Sequence, residues 1–173
     1  MVKIIISILL IVHLLFLVSC VGTRAKSFDS FDGAFFCEYS YEISGKHFRV
    51  SLESDKGSGD DGRIEVLFRE PETLAGIKCV SKNGKTVAGF GDMSVTGESA
   101  AALLLPSSLF FYDGEAVYCG ILEIDGRELE RFKLREGVYV YIDGESELPV
   151  MLSGEAEGTL YELRIISFAK LGG

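Results

Sequence analysis

From Phe35 to Tyr41 the chain alternates, with Phe35, Cys37, Tyr39 and Tyr41 on one face and Phe36, Glu38, Ser40 and Glu42 on the other. A period of two is the signature of a strand with one face in a core. Ser44-Gly45-Lys46 predicts a turn. A second run then sets Phe48, Val50 and Leu52 against His47, Arg49, Ser51 and Glu53, so the two runs form a hairpin. Residues 55–62 hold glycine and charge without an apolar anchor and predict a mobile loop. A third strand follows at Ile64, Val66 and Phe68, and Pro71 ends it because proline has no N–H for the ladder. Residues 77–81 lead into Asn83-Gly84, a strong signal for a tight hairpin.

The pattern changes between Glu98 and Tyr112. Residues 99–105 are rich in alanine and leucine and predict a helix. Pro106 closes it or starts a second turn, with Ser107 or Ser108 as a cap. The apolar character runs nearly all round and continues through Leu109, Phe110 and Phe111, which implies burial on more than one side. Strands then return at 117–124, 128–134, 138–142, 149–152 and 160–168. They are punctuated by Asp125-Gly126, Glu136-Gly137, Asp143-Gly144, Gly154 and Gly158. Short strands with turns at this spacing predict a mainly β chain, an antiparallel meander or open barrel with one short helical insert.

The amino terminus has a different build. Lys3 precedes an apolar run from Ile4 to Val18, broken only by Ser7 and His13. That is the build of a secretory signal. The run is about 15 residues, whereas a helix across the hydrocarbon core needs about 20, so a permanent transmembrane anchor is the weaker reading. It ends in Leu17-Val18-Ser19-Cys20, which resembles the lipobox of bacterial lipoproteins. A cysteine thiolate is nucleophilic enough to take a diacylglyceryl group as a thioether. Cleavage then exposes a new amino terminus for further acylation, such as by palmitate, and two or more chains hold a protein stably at a membrane. The resemblance therefore implies a signal peptide at 1–19, a lipidated Cys20 and tether at 20–33, and one β domain at 34–170. An ordinary signal peptide that happens to end near a cysteine is the alternative.

Charge narrows the partners. The formal charge is −9, and the signal segment contributes only Lys3, so the mature chain is more acidic still. Nucleic-acid binding demands clusters of Lys and Arg and is excluded. Acidity also makes a purely electrostatic hold on an anionic leaflet unfavourable. The lipid would be the anchor, on the extracytoplasmic face of the cell membrane. Cys37, Cys79 and Cys119 show no metal-binding spacing. Three buried thiols acting as small hydrophobes, or one disulfide with one free thiol, both fit an exported domain.

The order of parts, a lipobox, a meander, a short apolar insert and a second meander, resembles the LolA/LolB/RseB-like group of lipoproteins, including Firmicute lipoproteins of unassigned role. The likeness is carried by residues 68–77 (FREPETLAGI), by residues 141–150 (YIDGESELPV) and by the closing run Ile165-Ile166-Ser167-Phe168. The resemblance implies a strongly curved antiparallel sheet, an open half-barrel covered by one or two helices. It also implies an apolar cavity for acyl chains or for a partner's hydrophobic segment. This chain departs from the group in its short helical portion, on which the size of any cavity depends.

Catalytic candidates are few. His47, the one histidine after the signal segment, lies on the polar face of a strand and reads as solvated. No serine sits in a Gly-x-Ser-x-Gly elbow. Asp60-Asp61 and Asp143 lack the ligand spacing of a calcium loop and read as solvated turns. No catalytic residue, metal or cofactor is expected. Leu104, Leu105, Leu109, Phe110 and Phe111 are the candidates for lining a ligand cavity, against the simpler reading that they complete the core. Two functions remain. One is binding of a lipid or lipidated cargo, and the other is a sensing or interaction module for envelope proteins. The chain is expected to be a monomer.

Overall fold

The computed structural model describes residues 27–55, 62–112 and 114–171. The signal segment, Cys20 and Asp60-Asp61 lie outside the described residues, as does most of the loop expected at 55–62. The first meander comprises β1 (Phe35–Ile43), β2 (Lys46–Ser54), β3 (Ile64–Glu70), β4 (Lys78–Lys82), β5 (Lys85–Phe90) and β6 (Met93–Thr96). Then come a helix α1 (Glu98–Ala102) and a 3-10 turn (Pro106–Phe110). The second meander comprises β7 (Val117–Ile124), β8 (Arg127–Arg135), β9 (Val138–Asp143), β10 (Pro149–Ala156) and β11 (Thr159–Lys170). All eleven strands form one sheet in the order β6-β5-β4-β3-β2-β1-β11-β10-β9-β8-β7. The sheet is antiparallel and open, as expected from sequence.

Local chemistry accounts for most of the boundaries. Asn83 and Gly84 have φ of 51° and 70°, and Asp125 and Gly126 have 53° and 75°. Positive φ at both central residues is the turn whose twist matches the flanking strands. The β1–β2 hairpin closes with Ile43 opposite Lys46. Pro71 ends β3 as expected.

The sheet curls because its ladder is interrupted. Register shifts occur at Glu38/Tyr39, Arg49/Val50, Tyr118/Gly120, Lys133/Arg135 and Pro149/Met151. Each bulge bends its strand and increases the local twist. On the inner face, neighbouring strands bring Phe168, Cys37, Leu52, Val66, Cys79 and Ala88 into one transverse row. Cys37, Leu52, Val66, Cys79 and Ala88 are all buried. Burying a side chain of Leu or Phe size contributes about 1.5–3 kcal/mol. The outer face carries charge pairs: Arg49 Nε donates to Glu38 Oε1 at 2.7 Å, and His47 Nδ1 lies 3.2 Å from Glu70 Oε2. His47 is exposed, as its polar position predicts.

Four details differ from the sequence reading. The strand at 149–152 does not stop before Gly154; β10 runs on to Ala156. The helix at 99–105 keeps only residues 98–102. Pro106 has no N–H to return to the carbonyl of Ala102, which instead accepts from Leu105 N at 3.3 Å. Neither Ser107 nor Ser108 caps the second turn, which begins at Leu105 without a side-chain cap. β6 carries no alternation because all four of its residues are exposed, so no strand was expected there.

The folded unit also starts earlier than the boundary at residue 34. Phe28 and Phe31, placed in the tether by sequence, are buried in the core. Their rings sit 5.0 Å apart, and Phe31 meets Phe35 at 5.5 Å, Phe110 at 5.1 Å and Phe168 at 5.7 Å. Aromatic rings bury large apolar areas, which outweighs the entropy of leaving this short segment free.

Gly154 is where the insert meets the sheet. A Cβ there would lie 2.9 Å from Val138 Cγ2, 3.2 Å from Gly137 O and 3.2 Å from Leu109 Cδ2. Gly154→Ala should therefore destabilise the domain by about 1–3 kcal/mol, the range for overpacking. Urea unfolding measures this, and an unchanged midpoint would show that Leu109 does not seat against this strand.

Candidate functional site: a filled cup and an apolar groove

The insert leaves β6 at one edge of the sheet and reaches β7 at the other, so it crosses the inner face. Leu109 and Phe110 are fully buried there, while Leu104, Leu105 and Phe111 are half-buried against the core. Phe110 meets Tyr39 at 5.3 Å and Phe35 at 6.1 Å between ring centroids. The Tyr39 hydroxyl and Ser107 Oγ are 2.7 Å apart in the buried interior. Burial pushes the Tyr39 phenol well above its ordinary value, although the hydrogen bond with Ser107 opposes the shift. The neutral pair satisfies two polar groups that would each be costly alone. Leu109 and Phe110 thus fill the centre of the cup.

Open apolar space lies beside the insert. A groove of about 210 Å³ is lined by Ile77, Ala88, Gly89, Phe90, Met93, Ser94, Val95 and Leu103. Phe90, Met93 and Val95 are 52%, 70% and 50% exposed. The expected lining residues 104, 105, 109, 110 and 111 are absent from it; only their neighbour Leu103 takes part. Leu105 lines a different cleft, with Ser108, Arg135, Glu136, Glu155, Ala156 and Glu157. Its charges make it a poor place for hydrocarbon. The one sequence signal for the groove was Phe90-Gly91-Asp92-Met93, a turn flanked by large apolar residues on a strand too short to show alternation.

The chemical inventory elsewhere is sparse. Among the described residues, no group of three or more His, Cys, Asp and Glu is arranged to hold a metal ion. Asp143 accepts backbone hydrogen bonds from Glu145 N at 2.9 Å and Ser146 N at 3.1 Å, and it pairs with Arg127. The backbone bonds, from Ser146 above all, hold its carboxyl below the usual range, so it serves the turn, as its sequence suggested. Among the described residues, no helix is long and apolar enough to cross a membrane.

The three described cysteines are free; Cys37 and Cys79 are buried and Cys119 is exposed. Cys37 and Cys79 share an inner row but stand three strand spacings apart. At about 4.8 Å per spacing that is about 14 Å, twice the about 7 Å a disulfide can span. Burial pushes the Cys79 thiol up to about 11 and Cys37 higher still.

No protein-family model and no curated protein sequence matches the chain. Solved structures do. An uncharacterized conserved protein from Thermus thermophilus superposes with a TM-score of 0.51 at 10% identity, covering 83% of this chain and 82% of that one. The two share a fold. LolA superfamily protein NE2245 from Nitrosomonas europaea matches with a TM-score of 0.43 at 10% identity, over 84% of this chain and 90% of that one. MucB matches with a TM-score of 0.46 at 17% identity, over 83% of this chain but 55% of MucB. Structures of the group that the sequence resembles are therefore among the matches.

Thiol labelling checks the packing of this region. In the native protein at pH 8, mass mapping should find a thiol reagent on Cys119 and not on Cys37 or Cys79, because desolvation disfavours their thiolates. All three should label after denaturation. Rapid native labelling of Cys37 or Cys79 would contradict the packed inner row.

Proposed function

We propose that this chain is a membrane-anchored lipoprotein of the extracytoplasmic cell surface that binds a hydrophobic ligand, a lipid or the acyl chain of a lipidated cargo, on its curved sheet. The observation that carries this reading is the apolar groove, whose large exposed side chains are clustered rather than scattered. Contiguous exposed apolar surface marks a binding site. The groove is smaller than the about 300–1,000 Å³ of sites that enclose a drug-sized ligand, so it suits a stretch of hydrocarbon chain lying along β5 and β6. A lipidated Cys20 would keep the domain close to the bilayer from which such ligands come. The reading is one of binding, in keeping with a sequence that has a single histidine after the signal segment and no Gly-x-Ser-x-Gly elbow.

A second reading, an interaction module for envelope proteins, is supported by β6 itself. Among the described residues it is a free edge of the sheet, with Met93, Ser94, Val95 and Thr96 exposed and no charge among them. Unprotected edges of this kind accept an added strand.

A fluorescent fatty acid titrated into the protein distinguishes the two. Met93→Asp should weaken its binding at least about tenfold, the effect of placing a charge against buried hydrocarbon, with little change in stability because Met93 is exposed. Absence of saturable probe binding to the unaltered protein would overturn the lipid reading in favour of the second.

A further inference from the structure

Two aromatic plugs fill the cup, and they are held differently. The insert is fixed at both ends, by β6 and β7, and in the middle by the Tyr39–Ser107 hydrogen bond and by Leu109 over Gly154. Residues 27–34 form the other plug. This strap belongs to no strand and joins the described fold only at its β1 end. Its ties are mostly side chains: the Phe28 and Phe31 rings, an exposed ion pair of Asp29 with Lys170 at 3.4 Å, and Tyr112 Oη donating to Phe28 O at 3.4 Å. Its backbone bonds run from Asp32 N to Asp29 O, within the strap, and from Leu171 N to Ala34 O, where it meets β1.

Space already exists beside it. A cleft of about 410 Å³ is lined by the strap itself (Ser27, Phe28, Asp29, Ser30) and by β8, β9 and the following turn, including Phe132 and Ile142. Phe28 lines this cleft, meeting Phe132 at 5.9 Å, and its ring also meets Phe31 at 5.0 Å, so it stands between the cleft and the socket that holds Phe31. That socket is made of rings, Phe35, Phe110 and Phe168. Withdrawal of the strap would join cleft and socket into one chamber with an aromatic floor.

We propose that residues 27–34 are a self-occluding strap over a second apolar site, which opens to a hydrocarbon-tailed amphiphile with a neutral or cationic head. The tail replaces Phe28 and Phe31 in the socket, so that the apolar walls of the socket stay covered while the two rings pass to solvent. Head-group preference follows from the cleft, whose lining carries Asp29, Glu130, Asp143 and Glu147 and no basic residue; Lys170 and Arg127 pair with Asp29 and Asp143 from outside the lining and offset only part of that charge. An anionic head is repelled there. This site is distinct from the groove at β5 and β6 and does not depend on it.

The chain contains no tryptophan, so Phe28→Trp gives a unique reporter. Dodecyltrimethylammonium, titrated below its micelle concentration, should shift the indole emission to the red while the far-ultraviolet β signal stays constant. Laurate should need at least about ten times the concentration, the scale of one repulsive charge contact. Met93→Asp, which disables the groove, should leave the shift unchanged. Hydrogen exchange of residues 27–34 in the unsubstituted protein provides the same readout without a mutation and should accelerate on adding the amphiphile. Binding that leaves strap exchange unchanged, or a shift that Met93→Asp abolishes, overturns the strap site and leaves the groove standing. A full shift in Met93→Asp, together with fatty-acid binding that this substitution does not weaken, supports the strap and overturns the groove. No saturable binding of either amphiphile overturns both.

Discussion

The two edges of the sheet, β6 and β7, are consecutive in the chain, and everything inside the cup depends on that. Residues 97–116 must travel from one edge of an eleven-stranded sheet to the other. Flat, those edges would stand about 48 Å apart at about 4.8 Å per strand. About half of the link is helical and advances only about 1.5–2 Å per residue, so a flat sheet would leave it no slack. The sheet curls instead, helped by its five bulges. The crossing segment then lies in the cup, and its apolar residues are committed to the core before any ligand is considered.

That commitment separates structural from available apolar surface. Leu109 and Phe110 are apolar because the cup must be filled; interiors pack densely, and a missing ring there would cost several kcal/mol. Phe90, Met93 and Val95 are apolar without being covered, and that calls for a different explanation. Phe28 and Phe31 stand between the two cases. They are buried like core, but they belong to a segment held chiefly by its side chains, and such segments open at lower free energy than the sheet around them.

Much of this was legible in the chain. Alternation at Phe35–Tyr41 and at Phe48–Leu52 identified strands because one face of each is buried, with only Phe48 half-buried. Asn83-Gly84 and Asp125-Gly126 marked their turns through the backbone conformation they favour. The insert was visible as an apolar run of helical composition, but its role was not. Whether Phe110 lines a cavity or fills one depends on Phe31 and Tyr39, which are distant in sequence. Gly154 read as a break because glycine weakens a strand; in the fold it is the notch that admits Leu109. The groove escaped notice because β6 is four residues long and exposed throughout, and alternation reports burial, which β6 lacks.

Native-state hydrogen exchange on the ligand-free protein tests most directly whether the cup holds one fixed plug and one releasable plug. Amides of residues 28–34 should exchange through an opening well below the global unfolding free energy, while those of 107–111 exchange only with global unfolding. If the insert opens as readily as the strap, or the strap is protected as strongly as β1 and β2, the division of the core into a fixed and a releasable plug is wrong.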